Sequence, residues 1–170
     1  MMKKAPNSVS DRVQLRDVTD ADLSHFFEHQ LDTEANHMAA FTTEDPTDHD
    51  AFLAHWTKIR GDQATVIKTI LFDGDVAGHI ASFRRFGDLE VTYWIGKESW
   101  GKGIASSALA QFLAIQKERP IHARAARDNV ASLRVLEKCG FTITGEDKGF
   151  ANARGEETEE LILRLDLDQS

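Results

Sequence analysis

A glycine-rich loop between an apolar segment and an amphipathic segment is the part of this sequence best suited to chemistry. The stretch YWIGKESWGKGIASSALAQFL spans residues 93–113 and includes Gly96, Gly101 and Gly103. Gly101 and Gly103 allow the backbone to adopt positive φ and to approach a ligand closely. The start of a following helix adds unpaired N–H groups and partial positive charge. The pattern predicts a site for the phosphate groups of a ligand.

Two kinds of phosphate site are compatible with this loop. Residues 96–103, GKESWGKG, nearly match the nucleotide-binding pattern G-x-x-x-x-G-K-[ST]. The last position of that pattern requires a hydroxyl group that ligates magnesium, and Gly103 has no side chain. No later apolar strand ends in an aspartate that would hold the metal instead. The preferred interpretation is a metal-free cradle of backbone N–H groups for a pyrophosphate, with diffuse positive charge from Lys97 and Lys102.

The charge of the chain is unevenly distributed around a net value of −8. Residues 1–60 carry 6 basic and 11 acidic groups, and residues 139–170 carry 3 and 8. Residues 119–138 carry 5 basic and 2 acidic groups. A basic island suits a small polyanion, whereas the acidic remainder argues against nucleic acid as a partner and favours a cationic one.

The elements that must position the loop follow from periodicity and from capping signals. Thr19 or Asp20 is predicted to cap the first helix and Thr47 the second, while DGD at 73–75 predicts a hairpin turn and Gly140 the end of the last helix. Apolar patterns predict strands at 13–18, 64–72, 76–84, 89–95, 121–126, 141–146 and 159–167, and helices at 21–31, 46–59, 103–118 and 129–139. A loop is expected at 147–155. The order β-α-α-β-β-β-α-β-α-β-β indicates an α+β fold with a mixed sheet covered by helices.

The whole chain has the length of one domain. Its 170 residues predict a flexible segment at 1–10 and a single folded domain at 11–168, without a repeat or an apolar run of membrane-spanning length. The single cysteine, Cys139, excludes an internal disulfide and is interpreted as core packing. A cytoplasmic protein, monomeric or homodimeric and without a membrane partner, is the expectation.

Two segments together resemble a known family. YWIGKESWGKGIASSAL and ARDNVASLRVLEKCGF resemble the two coenzyme A motifs of the GNAT superfamily of N-acetyltransferases, and in particular the branch of the ribosomal-protein N-terminal acetyltransferases. The first motif, Q/R-x-x-G-x-G/A, falls on Trp100, Gly101, Gly103 and Ala105, with Trp100 in place of the Gln or Arg. The resemblance extends over residues 11–167 and implies a mostly antiparallel central sheet flanked by helices.

This resemblance implies acetyl-CoA as the acyl donor and places its parts on the chain. The strand that precedes the loop is splayed from its neighbour in the family, and the pantetheine arm lies in the gap. The pyrophosphate lies on the amides of residues 101–106. Asn129 matches an asparagine that bonds the pantetheine arm, although it is equally well explained as a helix N-cap. The implied coenzyme-binding residues are Trp94, Ile95, Trp100, Gly101, Lys102, Gly103, Ile104, Ala105, Ser106, Asn129, Arg134 and Lys138.

The chemistry implied by the resemblance is direct transfer of acetyl to an amine, without a metal. An α-amino group, with a pKa of about 7.7–8.0, is partly neutral at pH 7, whereas a lysine, at about 10.4, is almost fully protonated. Glu90 is the candidate base, acting through water, and His79 is a possible substitute. Many relatives protonate the leaving sulfur with a tyrosine at a position that Leu136 occupies here. Ser132 is therefore the candidate hydrogen-bond donor to the thiolate.

The acceptor is expected to be a primary amine, with the α-amine of a protein N-terminus as first choice. A small-molecule amine such as a polyamine or an aminoglycoside is the alternative, and a non-catalytic acyl-CoA-binding module is a second alternative. The family places its acceptor wall in the first helical region and in the late hairpin. The residues there that are candidates for the wall are Phe26, Phe27, Met38, Phe41 and Phe150.

Overall fold

A seven-stranded sheet organises the computed structural model, which describes residues 8–167. The strands lie in the order β1-β2-β3-β4-β5-β7-β6, and every neighbouring pair is antiparallel except β4 and β5. The strands are β1 Val13–Arg16, β2 Val66–Phe72, β3 Asp75–Arg85, β4 Asp88–Ile95, β5 Ile121–Ala126, β6 Thr142–Ala151 and β7 Glu156–Leu165. The helices are α1 Val9–Arg12, α2 Asp22–Leu31, α3 Thr33–Ala39, α4 His49–Gly61, α5 Ile104–Ile115 and α6 Val130–Lys138, with a 3₁₀ turn at Lys97–Ser99.

The predicted α+β class and element order are confirmed, with short helical additions at α1, α3 and the 3₁₀ turn. Helix α1 occupies part of the segment predicted to be flexible at 1–10; residues 1–7 of that segment, and residue 168 of the predicted domain, lie outside the described residues. The prediction of a loop at 147–155 is wrong over residues 147–151, because this segment pairs with β7 at the edge of the sheet.

The helix ends show both correct and incorrect cap predictions. Gly140 has φ 96°, and the N–H of Phe141 donates to the Leu136 carbonyl at 3.1 Å, which is the predicted glycine-terminated end. The cap of α4 is Asp48 rather than Thr47, because the Asp48 side chain accepts from the Ala51 N–H. The position before α2 is Ala21, without a side-chain cap, so neither Thr19 nor Asp20 has the predicted role.

Helices cover both faces of the sheet. Val76 and Ala77, adjacent in β3, point to opposite faces and contact different cores. On one face Leu109 and Phe112 of α5 are fully buried against the sheet. On the other face Phe26 of α2 and Trp56 of α4 form a second core, with ring centroids 4.9 Å apart.

The sheet opens between its fourth and fifth strands. Strand β4 pairs with β3 along its whole length, and β5 pairs with β7 along its whole length. The parallel pairing between β4 and β5 consists of Glu90 opposite His122 alone. Residues 91–95 therefore diverge from β5, and a cleft opens at the C-terminal half of β4, as the resemblance implied.

A buried carboxylate links helix α2 to the sheet. Asp22 is 2% exposed and accepts hydrogen bonds from both Arg16 guanidinium nitrogens at 2.6 and 2.8 Å, from the Thr19 N–H at 2.9 Å and from the Thr69 hydroxyl at 2.7 Å. Burial alone would raise the pKa of Asp22, but these donors outweigh it and hold the pKa well below its usual range.

Replacement of Asp22 with asparagine is expected to lower the free energy of unfolding at pH 7 by about 2 kcal/mol, because the paired anion is lost. The stabilisation from ionised Asp22 is present above its unfolded pKa of about 3.9 and is lost as the pH falls towards the folded pKa. Urea unfolding of the wild type and of Asp22→Asn is measured at pH 7 and at pH 3. The difference in their free energies of unfolding should be smaller at pH 3. Asp20→Asn, at a side chain 94% exposed, is the matched control. Equal stability of the two variants at pH 7 would contradict the role of Asp22.

Candidate active site

A cavity of about 600 Å³ occupies the cleft between β4 and β5. Strand β4 forms its floor, α3 one wall, and the first turns of α5 and α6 another. A volume of this size is typical of small-molecule sites in proteins. The predicted site residues that line it are Met38, Phe41, Glu90, Trp94, Ile95, Trp100, Gly101, Gly103, Ile104, Ala105, Ser106, Asn129 and Ser132.

The glycine loop at one end of the cavity exposes the start of α5. Gly101 has φ 75° and Gly103 has φ 78°, so the predicted positive φ values are confirmed. Gly103 is the N-cap of α5, where no side chain caps the helix and no acidic side chain lies in the first turn. The first N–H groups of α5 have no intrahelical acceptor. The loop therefore presents uncompensated donors and a positive dipole end to the cavity.

Trp100 stabilises the loop against β4. Its indole Nε1 donates to the Ile95 carbonyl at 2.9 Å, so the residue in place of the motif's Gln or Arg links the loop to the end of β4. The Trp94 carbonyl faces β3 instead of the cleft, because an ideal Cβ on Gly78 would lie 2.0 Å from that oxygen. Trp94 and Ile95 both line the cavity, and their contact with the pantetheine arm stays a prediction.

The start of α6 contributes two polar side chains. Asn129 caps the helix by accepting from the Ser132 N–H at 3.2 Å, and its amide nitrogen donates to the Met38 carbonyl at 3.2 Å. The capping interpretation of Asn129 is confirmed. The Ser132 hydroxyl is hydrogen-bonded to the Tyr93 hydroxyl at 2.8 Å.

Tyr93 is a cavity residue that sequence reasoning missed. It is the single tyrosine of the chain and lines the cavity from β4, and burial raises its pKa to about 12. The alternation of Val91, Tyr93 and Ile95, which all contact the core under α5 and α6, was the available signal. That alternation predicts that Tyr93 faces the helix that carries Ser132.

Glu90 lies in a buried charge network at the other end of the cavity. It is 7% exposed, and its carboxylate lies 3.3 Å from the Arg124 Nε and 3.6 Å from the nearest Arg85 guanidinium nitrogen. Arg124 also pairs with Glu160 at 2.8 Å and with Asp147 at 3.1 Å. Burial raises the pKa of Glu90, and the attraction of the two arginines does not offset it. A raised pKa moves a carboxylate towards the range useful for a general base.

His79 does not have the geometry of a substitute base. Its ring packs between Phe26 and Trp56, at centroid distances of 4.8 and 4.9 Å, on the face of the sheet away from α5. Burial lowers the pKa of His79 to about 3, so the ring is neutral. It is not among the residues that line the cavity. We therefore correct the alternative of His79 as base.

The other predicted site residues do not line this cavity. Phe26 and Phe27 belong to the second core, because the helix face they occupy packs on α4, so they do not form an acceptor wall. Phe150 is 60% exposed on β6 and is not a lining residue. The Lys102 ammonium lies 5.8 Å from the centroid of the Phe72 ring, outside the cavity lining.

A second cavity, of about 670 Å³, lies between α5, the end of α6 and the end of β7. Lys138 lines it together with Ser106, which also lines the first cavity. Arg134 and Lys138 are exposed on α6, and neither has an ion pair within residues 8–167. Cys139 is partly buried against the main core, as predicted, and burial raises the pKa of its thiol.

Within the described part of the chain, no group of three or more His, Cys, Asp or Glu side chains has an arrangement that would hold a metal ion. No helix between residues 8 and 167 is long and apolar enough to cross a membrane.

Solved structures with the same architecture include three acetyltransferases. The ribosomal-protein-alanine N-acetyltransferase of Brucella melitensis has 21% identity and TM-score 0.76, covering 91% of this chain and 99% of that one. RimJ of Mycobacterium smegmatis, in complex with CoA-disulfide, has 22% identity and TM-score 0.75, with 91% and 81% covered. Spermidine N-acetyltransferase of Vibrio cholerae, in complex with CoA and spermine, has 18% identity and TM-score 0.76, with 91% and 95% covered. At these identities the likeness shows the shared fold.

The match to a family model identifies the family of this chain. Residues 12–142 match the model described as an acetyltransferase (GNAT) domain, which is more than half of the chain. No match was found among curated proteins. The matched region includes the glycine loop, the uncapped start of α5 and the cleft between β4 and β5. The chain belongs to the GNAT acetyltransferase family and is an N-acetyltransferase that uses acetyl-CoA as its acyl donor.

Proposed function

We propose that this enzyme acetylates the α-amino group at a protein or peptide N-terminus, with acetyl-CoA bound along the cleft between β4 and β5. The uncapped start of α5 holds the pyrophosphate, and the two positive-φ glycines allow it to approach the backbone. Arg134 and Lys138, which are exposed on α6, supply positive charge for the 3′-phosphate. The pantetheine arm then runs in the gap that opens beyond Glu90, towards Ser132.

The acceptor end of the cavity has a balanced charge. Its ionisable lining residues are Arg85, Glu90, Arg124 and Glu160, two cations and two anions. Both carboxylates already have arginine partners, at 3.6 Å or less. A polyamine would bring several positive charges next to two arginines, whereas a peptide brings one amine and carbonyl groups that accept from an arginine. The pairing of both carboxylates with arginines is the observation that favours a peptide N-terminus.

The apolar part of the acceptor end also suits a short side chain and an extended backbone. Met38 and Phe41 line the cavity from the α3 region, and Phe83 lines it from β3. Phe41 is 38% exposed, so this wall is open to solvent and accessible to a protein terminus. The first choice within the class is therefore the activity of the ribosomal-protein N-terminal acetyltransferases, which acetylate a protein α-amine.

The residues of the cavity have distinct roles in this proposal. Glu90 accepts the proton of the attacking amine through a water molecule, since its raised pKa makes it a better base than an exposed glutamate. Arg124 and Arg85 keep its carboxylate oriented. Ser132 donates a hydrogen bond to the sulfur as the carbon–sulfur bond breaks, in place of the tyrosine that Leu136 replaces. No step requires a metal.

An acceptor panel tests the proposal. The enzyme is incubated with acetyl-CoA and peptides that begin with Ala, Ser or Met, with the same peptides carrying a blocked N-terminus and an internal lysine, and with spermidine and an aminoglycoside. Release of free thiol is measured for each. We expect kcat/KM for the free N-termini to exceed that for spermidine by at least about 10-fold, and no turnover of the blocked peptides. Higher kcat/KM with spermidine or the aminoglycoside would instead establish the small-amine alternative; the net charge of −8 favours any cationic acceptor and does not choose between the two classes.

A further inference from the structure

A pair of hydroxyl groups bridges β4 and α6 inside the cavity. The Tyr93 hydroxyl and the Ser132 Oγ are 2.8 Å apart, and both side chains line the cavity. Their positions are 39 residues apart in sequence, so the contact depends on the packing of α6 over β4. Burial is the main cause of the raised pKa of Tyr93, with the Ser132 bond opposing it and nearby Cys139 reinforcing it. The phenol is therefore protonated throughout the range in which an acetyltransferase is assayed.

The direction of this hydrogen bond follows from the chemistry of the two groups. A phenol is a stronger acid than an alcohol, so it is the better donor, and its oxygen is the poorer acceptor. Tyr93 therefore donates and Ser132 accepts. The Ser132 N–H is already bonded to the Asn129 side chain, which fixes the backbone at this position. Among the described residues the Ser132 hydroxyl is hydrogen-bonded to Tyr93 alone, so its proton is free to point into the cavity.

We propose that Tyr93 is a positioning residue that holds the Ser132 hydroxyl in the orientation needed to donate to the sulfur of the leaving coenzyme A. The inference rests on the proposed placement of the thioester beside Ser132. Without the Tyr93 bond, the Ser132 hydroxyl would rotate among staggered positions and bond to nearby backbone groups. Leu136 cannot orient the Ser132 hydroxyl in this way, because its side chain has no hydrogen-bonding group and packs in the main core.

The transfer step balances with this arrangement. The amine nitrogen forms a bond to the acetyl carbon, the carbon–sulfur bond breaks, and its electron pair goes to sulfur. The proton of the amine goes to Glu90 through water and then to solvent. The sulfur leaves as a thiolate that accepts the Ser132 hydrogen bond and takes a proton from solvent after release. Ser132 and Tyr93 keep their own protons, since a thiol of pKa about 8.5 is a stronger acid than either group.

The test uses the binary complex with coenzyme A, so it does not depend on the acceptor. The pKa of the bound thiol is measured from the ultraviolet absorbance of the thiolate for the wild type, Tyr93→Phe, Ser132→Ala and the double variant. We expect the bound-thiol pKa to rise by about 1 in Tyr93→Phe, and to rise no further in the double variant than in Ser132→Ala. We expect kcat to fall about 10-fold in Tyr93→Phe with an unchanged KM for acetyl-CoA. Ser24→Ala, which removes an exposed hydroxyl from α2, is the matched control.

The outcomes separate the inference from the proposal on which it depends. A bound-thiol pKa that shifts in Ser132→Ala but not in Tyr93→Phe overturns the role of Tyr93 and keeps the placement of the thioester. A bound-thiol pKa that shifts in neither variant overturns the placement, and the role of Tyr93 with it. Independent, additive shifts show that Tyr93 acts on the sulfur directly and also overturn the positioning role.

Discussion

Replacement of Gly103 with valine is expected to weaken the binding of coenzyme A by at least about 100-fold. The reason is backbone conformation. Gly103 has φ 78°, and a β-branched residue is strongly disfavoured there. A Cβ at this position would meet only the Val9 side chain, at 3.8 Å, so the protein offers space for it. The loop is expected to change its conformation, which turns the first N–H groups of α5 away from the pyrophosphate.

A graded series with a matched control isolates this effect. Gly103→Ala is expected to lose about 5-fold to 10-fold in affinity, because alanine tolerates positive φ better than valine does. Gly87 has φ 87° at the tip of the β3–β4 hairpin, with nothing near its Cβ position, so Gly87→Val imposes similar strain outside the loop. Isothermal titration with coenzyme A measures all three variants, and circular dichroism checks the fold. Wild-type affinity in a folded Gly103→Val protein would show that the pyrophosphate lies elsewhere.

Replacement of Glu90 with glutamine is expected to lower kcat about 100-fold near pH 7, with little change in the affinity for coenzyme A. Glutamine has nearly the same shape but cannot accept a proton. Arg124 keeps its pairs with Glu160 and Asp147 in this variant, so the network that orients the strands is retained.

The pH profile shows the sign of the effect. In the proposed mechanism Glu90 acts as a base when ionised, so we expect the wild-type rate to be present above its raised pKa and to be lost as the pH falls through that pKa. The glutamine variant is expected to lack this acidic limb. Glu157→Gln, at an exposed glutamate on β7, is the matched control, because it removes a carboxylate outside the cavity. Wild-type kcat with an unchanged acidic limb in Glu90→Gln would assign the base to another group.

Local features of this site were predictable from sequence, because local chemistry determines them. The positive φ of Gly101 and Gly103 follows from residue type and from a turn into a helix. The cap at Asn129 follows from a side chain that reaches an N–H three residues later. Backbone groups a few residues away decide both features, so one segment of sequence is sufficient to predict them.

Features that depend on distant partners were not predictable in the same way. Residues 147–151, DKGFA, were predicted as a loop, yet they form the second half of the edge strand β6 because β7 supplies backbone partners. The partner of Tyr93 lies on another element, and the burial of Glu90 depends on side chains of β3, β5 and β7. Periodicity predicts which face a residue occupies, whereas tertiary packing decides what it touches there.

The single bridge between β4 and β5 also has a mechanical consequence. Strands β1 to β4 and strands β5 to β7 form two half-sheets that meet, as strands, at Glu90 opposite His122. Glu90 lies at this contact and has an arginine partner on each side of it, Arg85 on β3 and Arg124 on β5. These ion pairs link the two half-sheets at the position where their strands meet, so a change in the charge of Glu90 acts on both half-sheets at once.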